Sequence, residues 1–291
     1  MMPEVKALPS YLYDHRKEAV RCGEAWLHTS HGMPRSRTGL QAGDDLASAH
    51  LLDEYYERVG EAGTTDRANV AAMMKERPAL GVVASMVWGL APIQRRNPFR
   101  ALLRLDEFEI ERRVDRALTL MDGDGSDHLD AAHRAMGAGG DAKLPGLGEA
   151  FYTKVLHFLG IAHEVGVPRP LIFDQHTKRA YYVLLRETGD AAETGRFTGR
   201  VSDPNGSPFP AARAGSYAAY CGDMNSWARQ VWGTQASDDS ASALEAFVFG
   251  YSGDPRYQPS DLCGGLNPRA DLEHRFTRYR EQAADPLRLH A

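Results

Sequence analysis

Two residues of types that do nucleophilic or acid–base work stand at a spacing that lets a fold bring them together: Lys154 and, twenty residues on, Asp174. The lysine lies in KLPGLGEAFYTKVLHFLG, residues 143–160, and the aspartate sits in the apolar run LIFDQH, residues 171–176. A desolvated lysine amine can attack carbon, and a carboxylate can stabilise developing positive charge or move protons. Just ahead of the lysine, Pro145 fixes one backbone angle, while Gly146 and Gly148 permit positive φ and a turn with no side chain in the way. The turn runs into the start of a helix predicted over 149–159, so its free amides and the helix dipole point the same way. Lys143, Gly146, Leu147 and Gly148 thereby form a candidate phosphate-binding turn. Each part also has a plain structural reading. PGLG can be an ordinary helix-to-helix turn, Lys154 a solvated helix lysine, and Asp174 a helix N-cap, a role compatible with chemistry.

Other chemistry finds less support. Cys22, Cys221 and Cys263 are odd in number and far apart, which argues against a zinc site or a disulfide framework and reads as buried or incidental thiols. The aspartates of 122–127 resemble a calcium loop, but position six is Asp127 where glycine belongs, and position twelve is His133 where glutamate belongs. A solvated turn fits better. His128 and His133 do not share a helix face, so no metal is expected. Neither GxGxxG nor GxxxxGK[ST] occurs, and no cofactor is expected.

The net charge is −5, the wrong sign for a protein that coats nucleic acid non-specifically, so any such contact must be local. Local basic clusters stand at Arg95, Arg96, Arg100 and Arg104, at Arg112, Arg113 and Arg116, and at Arg275, Arg278 and Arg280, and Arg96, Arg100 and Arg104 would make one helical stripe. The intervening Asp106, Glu107, Glu109 and Glu111 favour a solvated, ion-paired face. The longest apolar run, 80–93, is interrupted by glycine and too short to span a membrane; with no signal core at the start, the chain is expected to be cytoplasmic.

The elements that must position these residues are helices. A Ser10 cap opens one over 10–29, with Leu12, Ala19, Val20 and Trp26 as a loose apolar face. Asp44 or Asp45 caps another, with Leu52, Tyr55, Tyr56 and Val59 inward before Gly60. Asp66 caps a third, with Val70, Met73 and Met74 inward before Pro78. Pro98 starts a helix, and Asp106 with Glu109 resembles a capping box ahead of Ile110, Val114, Ala117 and Met121. Helices follow over 127–136, 177–186 (where a strand is the alternative), 216–232 and 270–284, and one capped by Asp238 or Asp239. In the helix from Ser216, Tyr217, Tyr220, Met224, Trp227, Ala228 and Val231 share one face. The stretches 30–43 and 187–215 read as irregular loops. About ten helices and few or no strands predict a mostly α fold, as one domain over 1–291 or with two helical lobes and a cleft between them.

The joint pattern of LPGLG, a helix carrying Lys154, a linker and LIFDQH resembles the helix-hairpin-helix DNA glycosylase superfamily, in particular its 8-oxoguanine glycosylase-like branch. The resemblance implies a multi-helix, helix-hairpin-helix glycosylase-like fold. It also implies a partner, duplex DNA carrying a modified purine, and an activity: extrusion of that base and cleavage of its N-glycosidic bond, with or without lyase activity. Asp174 matches the family's catalytic aspartate. The family's nucleophilic lysine falls at Ala150, and Lys154 stands one helical turn further on. Lys154 is therefore a relocated nucleophile reaching back about one turn, or a pocket residue in an enzyme that uses water, or a remnant in a binding protein. Ala150, Phe247 and Phe249 are the candidate base pocket, with core packing the competing reading for both phenylalanines. A catalytically altered member that binds a nucleobase or nucleic acid in a bacterial defence or base-modification system is the alternative, and an α-helical interaction protein is a third.

Overall fold

The computed structural model describes residues 6–40, 44, 46–89, 98–123, 127–166, 168–189, 216–250 and 265–284. Arg95, Arg96, Asp45, Cys263 and most of the 187–215 loop lie outside them. The described residues are mostly α, with one two-stranded antiparallel ladder pairing His31 with Thr65 and Gly32 with Thr64. None of the described helices is long and apolar enough to cross a membrane. The chain divides into two compact units, His28–Phe173 and a second made of Met1–Leu27 with Asp174–Ala291.

In the unit His28–Phe173 the helices are α3 (Ala49–Val59), α4 (Arg67–Glu76), α5 (Pro78–Gly89), α6 (Pro98–Leu102), α7 (Glu107–Met121), α8 (His128–Met136) and α9 (Glu149–Ala162). Helix α5 is apolar all round and buried from Ala79 to Val87, as a helix enclosed by others must be. It packs against α3, α4, α7 and α9. Two of the predicted caps form: Asp66 accepts the Asn69 amide and Asp106 accepts the Glu109 amide. The box at Asp106 stays half closed, because the Glu109 carboxylate turns to Arg112 (2.8 Å) and Arg113 (2.7 Å). Arg100 pairs with Asp44, Arg112 and Arg113 with Glu109, and Arg116 with Asp141, so these four arginines are ion-paired as expected.

The other unit holds α1 (Ser10–Asp14), α2 (Arg16–Leu27), α10 (Gln175–Glu187), α11 (Ser216–Trp232), α12 (Ser240–Phe249) and α13 (Pro268–Ala284). Helix α12 packs against α2, α10, α11 and α13. The six apolar residues predicted to share one face of α11 are all buried. The expected helix over 10–29 is broken at His15, and Ser10 is its first residue rather than its cap. The Ser10 hydroxyl donates to Glu187 Oε2 at 3.0 Å, a tertiary bond that replaces the local one. Cys22 is disulfide-bonded, which corrects its reading as an incidental thiol, and Cys221 is a free, buried cysteine.

Candidate active site

The turn between α8 and α9 is built as a platform. Gly146 adopts φ +80°, and a Cβ there would meet Ala101 Cβ and the Pro98 carbonyl at 2.8 Å, so glycine is required for both reasons. Gly148 differs from expectation: its φ is −81° and it serves as the N-cap position of α9. None of the described residues comes within 4 Å of where its Cβ would stand, so none of them requires glycine there. Leu147 is buried, and its amide closes the turn on the Leu144 carbonyl at 3.3 Å, so it does not face outward as a phosphate donor. Among the described residues, no group accepts from the amides of Gly146 or Gly148. Lys143 is exposed, and its carbonyl accepts from Arg113 of α7, which braces the turn from behind. The two flanking helices are tied by His133, whose Nε2 lies 3.1 Å from both Glu149 Oε1 and the Tyr152 hydroxyl. Burial, and then Glu149, raises the Tyr152 phenol well above its usual range, so it stays a hydroxyl.

Lys154 is 8 % exposed, which sets aside the solvated-lysine reading. Its amine folds back along α9, donating to the Ala150 carbonyl at 3.0 Å and standing 5.4 Å from the Phe151 ring centroid. The stem runs over Gly89 at the end of α5, where a Cβ would collide with Lys154 Cδ and Cε. One turn on, His157 is buried between Arg67, whose Nη1 is 2.7 Å from His157 Nε2, and the Pro170 carbonyl, 3.0 Å from Nδ1. Arginine only donates and a carbonyl only accepts, so the ring is the Nδ1–H tautomer. Its basicity is pushed down to about 3, first by burial and next by Arg67, with Lys154 a smaller contributor. Thr153, the neighbour of Lys154, accepts the Phe173 amide at 3.1 Å. That bond fixes the end of the apolar run 171–173 that leads to Asp174.

Asp174 is the N-cap of α10 in a closed capping box. Its Oδ1 accepts from the amides of His176 (2.9 Å) and Thr177 (3.0 Å), and the Thr177 hydroxyl accepts the Asp174 amide at 2.9 Å. The N-cap reading therefore holds. It leaves Oδ2 without a hydrogen bond among the described residues, so one oxygen anchors the carboxylate and the other is open. Beside it, His176 Nδ1 is 2.8 Å from Glu273 Oε1, and Nε2 accepts from Arg269, whose guanidinium lies 5.3 Å over the Phe249 ring. Glu273 also receives Arg179 at 2.7 Å. Phe249 presents a half-exposed ring to this group, whereas Phe247 is a core residue against Tyr11 and Trp26. The pocket expectation for Phe247 is corrected accordingly: on one helix, position 247 faces inward and position 249 does not.

Sequence comparison bears on what this geometry is for. A protein-family model described as "Putative 8-oxoguanine DNA glycosylase OGG-like protein" matches residues 33–249, well over half of the chain. The chain belongs to this family. No curated protein and no solved structure matches it. The family match takes in the turn, Lys154, Asp174 and Phe249, and ends before Arg269 and Glu273. Sequence reasoning missed those two, together with Arg67, His157 and Gly89. The two α13 residues meet partners 93 and 97 positions away, and no local pattern announces such a pairing.

Proposed function

We propose that this member of the family is a DNA N-glycosylase that takes a modified purine, 8-oxoguanine by the family's description, out of the duplex and releases it. The observation that carries the reading is the path of Lys154. Its amine ends at the carbonyl of Ala150, the position at which the resemblance places the nucleophilic lysine. A long side chain starting one turn deeper thus brings its amine back along the helix to the level of residue 150. In the proposed step the neutral amine attacks C1′ of the deoxyribose, the C1′–N9 bond breaks, and the base leaves with the bonding pair and takes up a proton. Loss of the amine's proton and opening of the sugar give a Schiff base, from which β-elimination can release the 3′ phosphate. Asp174 is the carboxylate that the resemblance assigns to stabilising the positive charge that develops on the sugar; Oδ1 holds it on α10 and Oδ2 is left for that role. The amides of the exposed Gly146 and Gly148, which no described group accepts, hold a backbone phosphate in this reading. A second reading, a member that binds a modified base without cleaving it, is favoured by one residue: Ala150 stands where the resemblance expects the lysine.

The test is incubation with duplex DNA carrying one 8-oxoguanine, with and without borohydride. Base release with a trapped covalent adduct, lost in Lys154→Ala, and release slowed at least a hundredfold in Asp174→Asn, is the expected result. Release without trapping removes the nucleophile role of Lys154 and keeps the glycosylase. Binding with no release selects the second reading.

A further inference from the structure

A carboxylate that must work beside a polyanion needs a cation between the two, and a chain of net charge −5 has to supply it locally. The surroundings of Asp174 contain one with suitable chemistry. Arg269, from the first turn of α13, is half-buried, and burial lowers its basicity despite the opposing pull of Asp174 and then Glu273. Its guanidinium is held from two sides, over the face of Phe249 and through the donor pointed at His176 Nε2. Of the five N–H donors of a guanidinium, that one is committed and no other makes a hydrogen bond among the described residues. Because His176 Nε2 accepts from arginine, its N–H lies on Nδ1 and is directed at Glu273, so His176 has no donor left for a ligand. The open donors at this spot belong to Arg269. A planar, oriented, partly desolvated guanidinium with free N–H pairs is the group that binds phosphate oxygens two at a time.

We infer that Arg269 is a phosphate-binding residue, gripping a backbone phosphate of the DNA next to the nucleotide whose sugar faces Asp174. This inference rests on the glycosylase reading but adds a residue outside the segment that matches the family model. It makes α13 part of the DNA-binding surface. Arg179, by contrast, is occupied with Glu273 and faces Phe276. Glu273 thus balances Arg179 and orients His176, while Arg269 keeps its charge for the ligand.

The experiment is the salt dependence of binding to a short fluorescein-labelled duplex with one 8-oxoguanine, read by anisotropy for the full-length protein. Removing one phosphate contact lowers the slope of log K against log salt by about 0.9. Arg269→Gln is expected to show that loss, with affinity several-fold weaker at low salt. Arg269→Lys keeps the slope, because the charge remains. Arg278→Gln, an exposed position later on the same helix, keeps it as well. A slope for Arg269→Gln equal to that of the unaltered protein, in a variant that melts normally, overturns the inference and leaves the glycosylase reading intact. Failure of the unaltered protein both to bind and to release base overturns the two together. Loss of slope in Arg269→Lys as well as Arg269→Gln points to a structural strut and rejects the phosphate contact.

Discussion

The two units each contain an arginine that donates to the Nε2 of a histidine and lies over an aromatic ring. Arg67 meets His157 and stands 5.0 Å over Trp88; Arg269 meets His176 and stands 5.3 Å over Phe249. The difference lies in what the other ring nitrogen sees. His157 Nδ1 ends on the Pro170 carbonyl, a neutral acceptor in a fully buried setting. His176 Nδ1 ends on a carboxylate that also takes a second arginine, half open to solvent and beside Asp174. The same pair of residue types is a strut in the first case and a charge-balanced mount in the second. Burial and the third partner decide which, and neither is a property of the pair itself.

The largest effect that separates them is on stability. Arg67→Met leaves His157 Nε2 buried without a donor and is expected to cost about 2–4 kcal/mol in denaturant unfolding. Arg269→Met, half-exposed, is expected to cost about 1 kcal/mol or less. Equal costs would break the comparison. The acid limb sharpens it next. His157 falls from 6.5 unfolded to about 3 folded, so between those values the unfolded chain binds a proton that the folded one does not. Stability present above pH 6.5 is therefore lost as pH drops, by about 2 kcal/mol at pH 5 from this group. His31, pushed down to about 4 by burial and then by Arg67, adds a similar loss. His157→Gln keeps one donor and one acceptor without titrating. Between pH 7 and pH 5 it is expected to lose about half as much stability as the unaltered chain.

What could be read from the sequence divides along the same line. The caps at Asp66, Asp106 and Asp174 are legible because the bonds they make reach two or three residues. The buried face of α11 is legible because helical periodicity alone writes it. Ser10 misled because its hydroxyl answers to Glu187, 177 residues away. Asp174 and the Gly146 turn could be located in advance, since backbone geometry marks them. The burial of Lys154 could not, since it depends on a missing side chain at Gly89 in another helix. Phe247 and Phe249 carry the same residue type two positions apart, and only packing tells which one is core.

The mount around Asp174 predicts a smaller, divided effect. Asp174→Ala removes the cap of α10 and is expected to cost about 1–2 kcal/mol, whereas Asp174→Asn caps equally well and is expected to leave the melting midpoint nearly unchanged. A large loss of stability in the asparagine variant would mean that the carboxylate charge, rather than the cap, holds the unit together.

The smallest expected change in stability is the most telling for the lysine. At Gly89 the three nearest atoms a methyl group would meet are Cδ, Cε and, at 3.3 Å, Nζ of Lys154, the flexible far end of a side chain. Gly89→Ala can therefore be accommodated by swinging the amine away from the Ala150 carbonyl, with stability expected to move by less than about 0.5 kcal/mol. The amine itself would no longer stand where the proposed chemistry needs it. Borohydride trapping should then fall severely in a protein that unfolds as the unaltered one does. If Lys154→Ala abolishes the adduct and Gly89→Ala leaves it untouched, Lys154 reacts from a conformation other than the one that folds back over Gly89, and the amine's position at Ala150 is a resting state only.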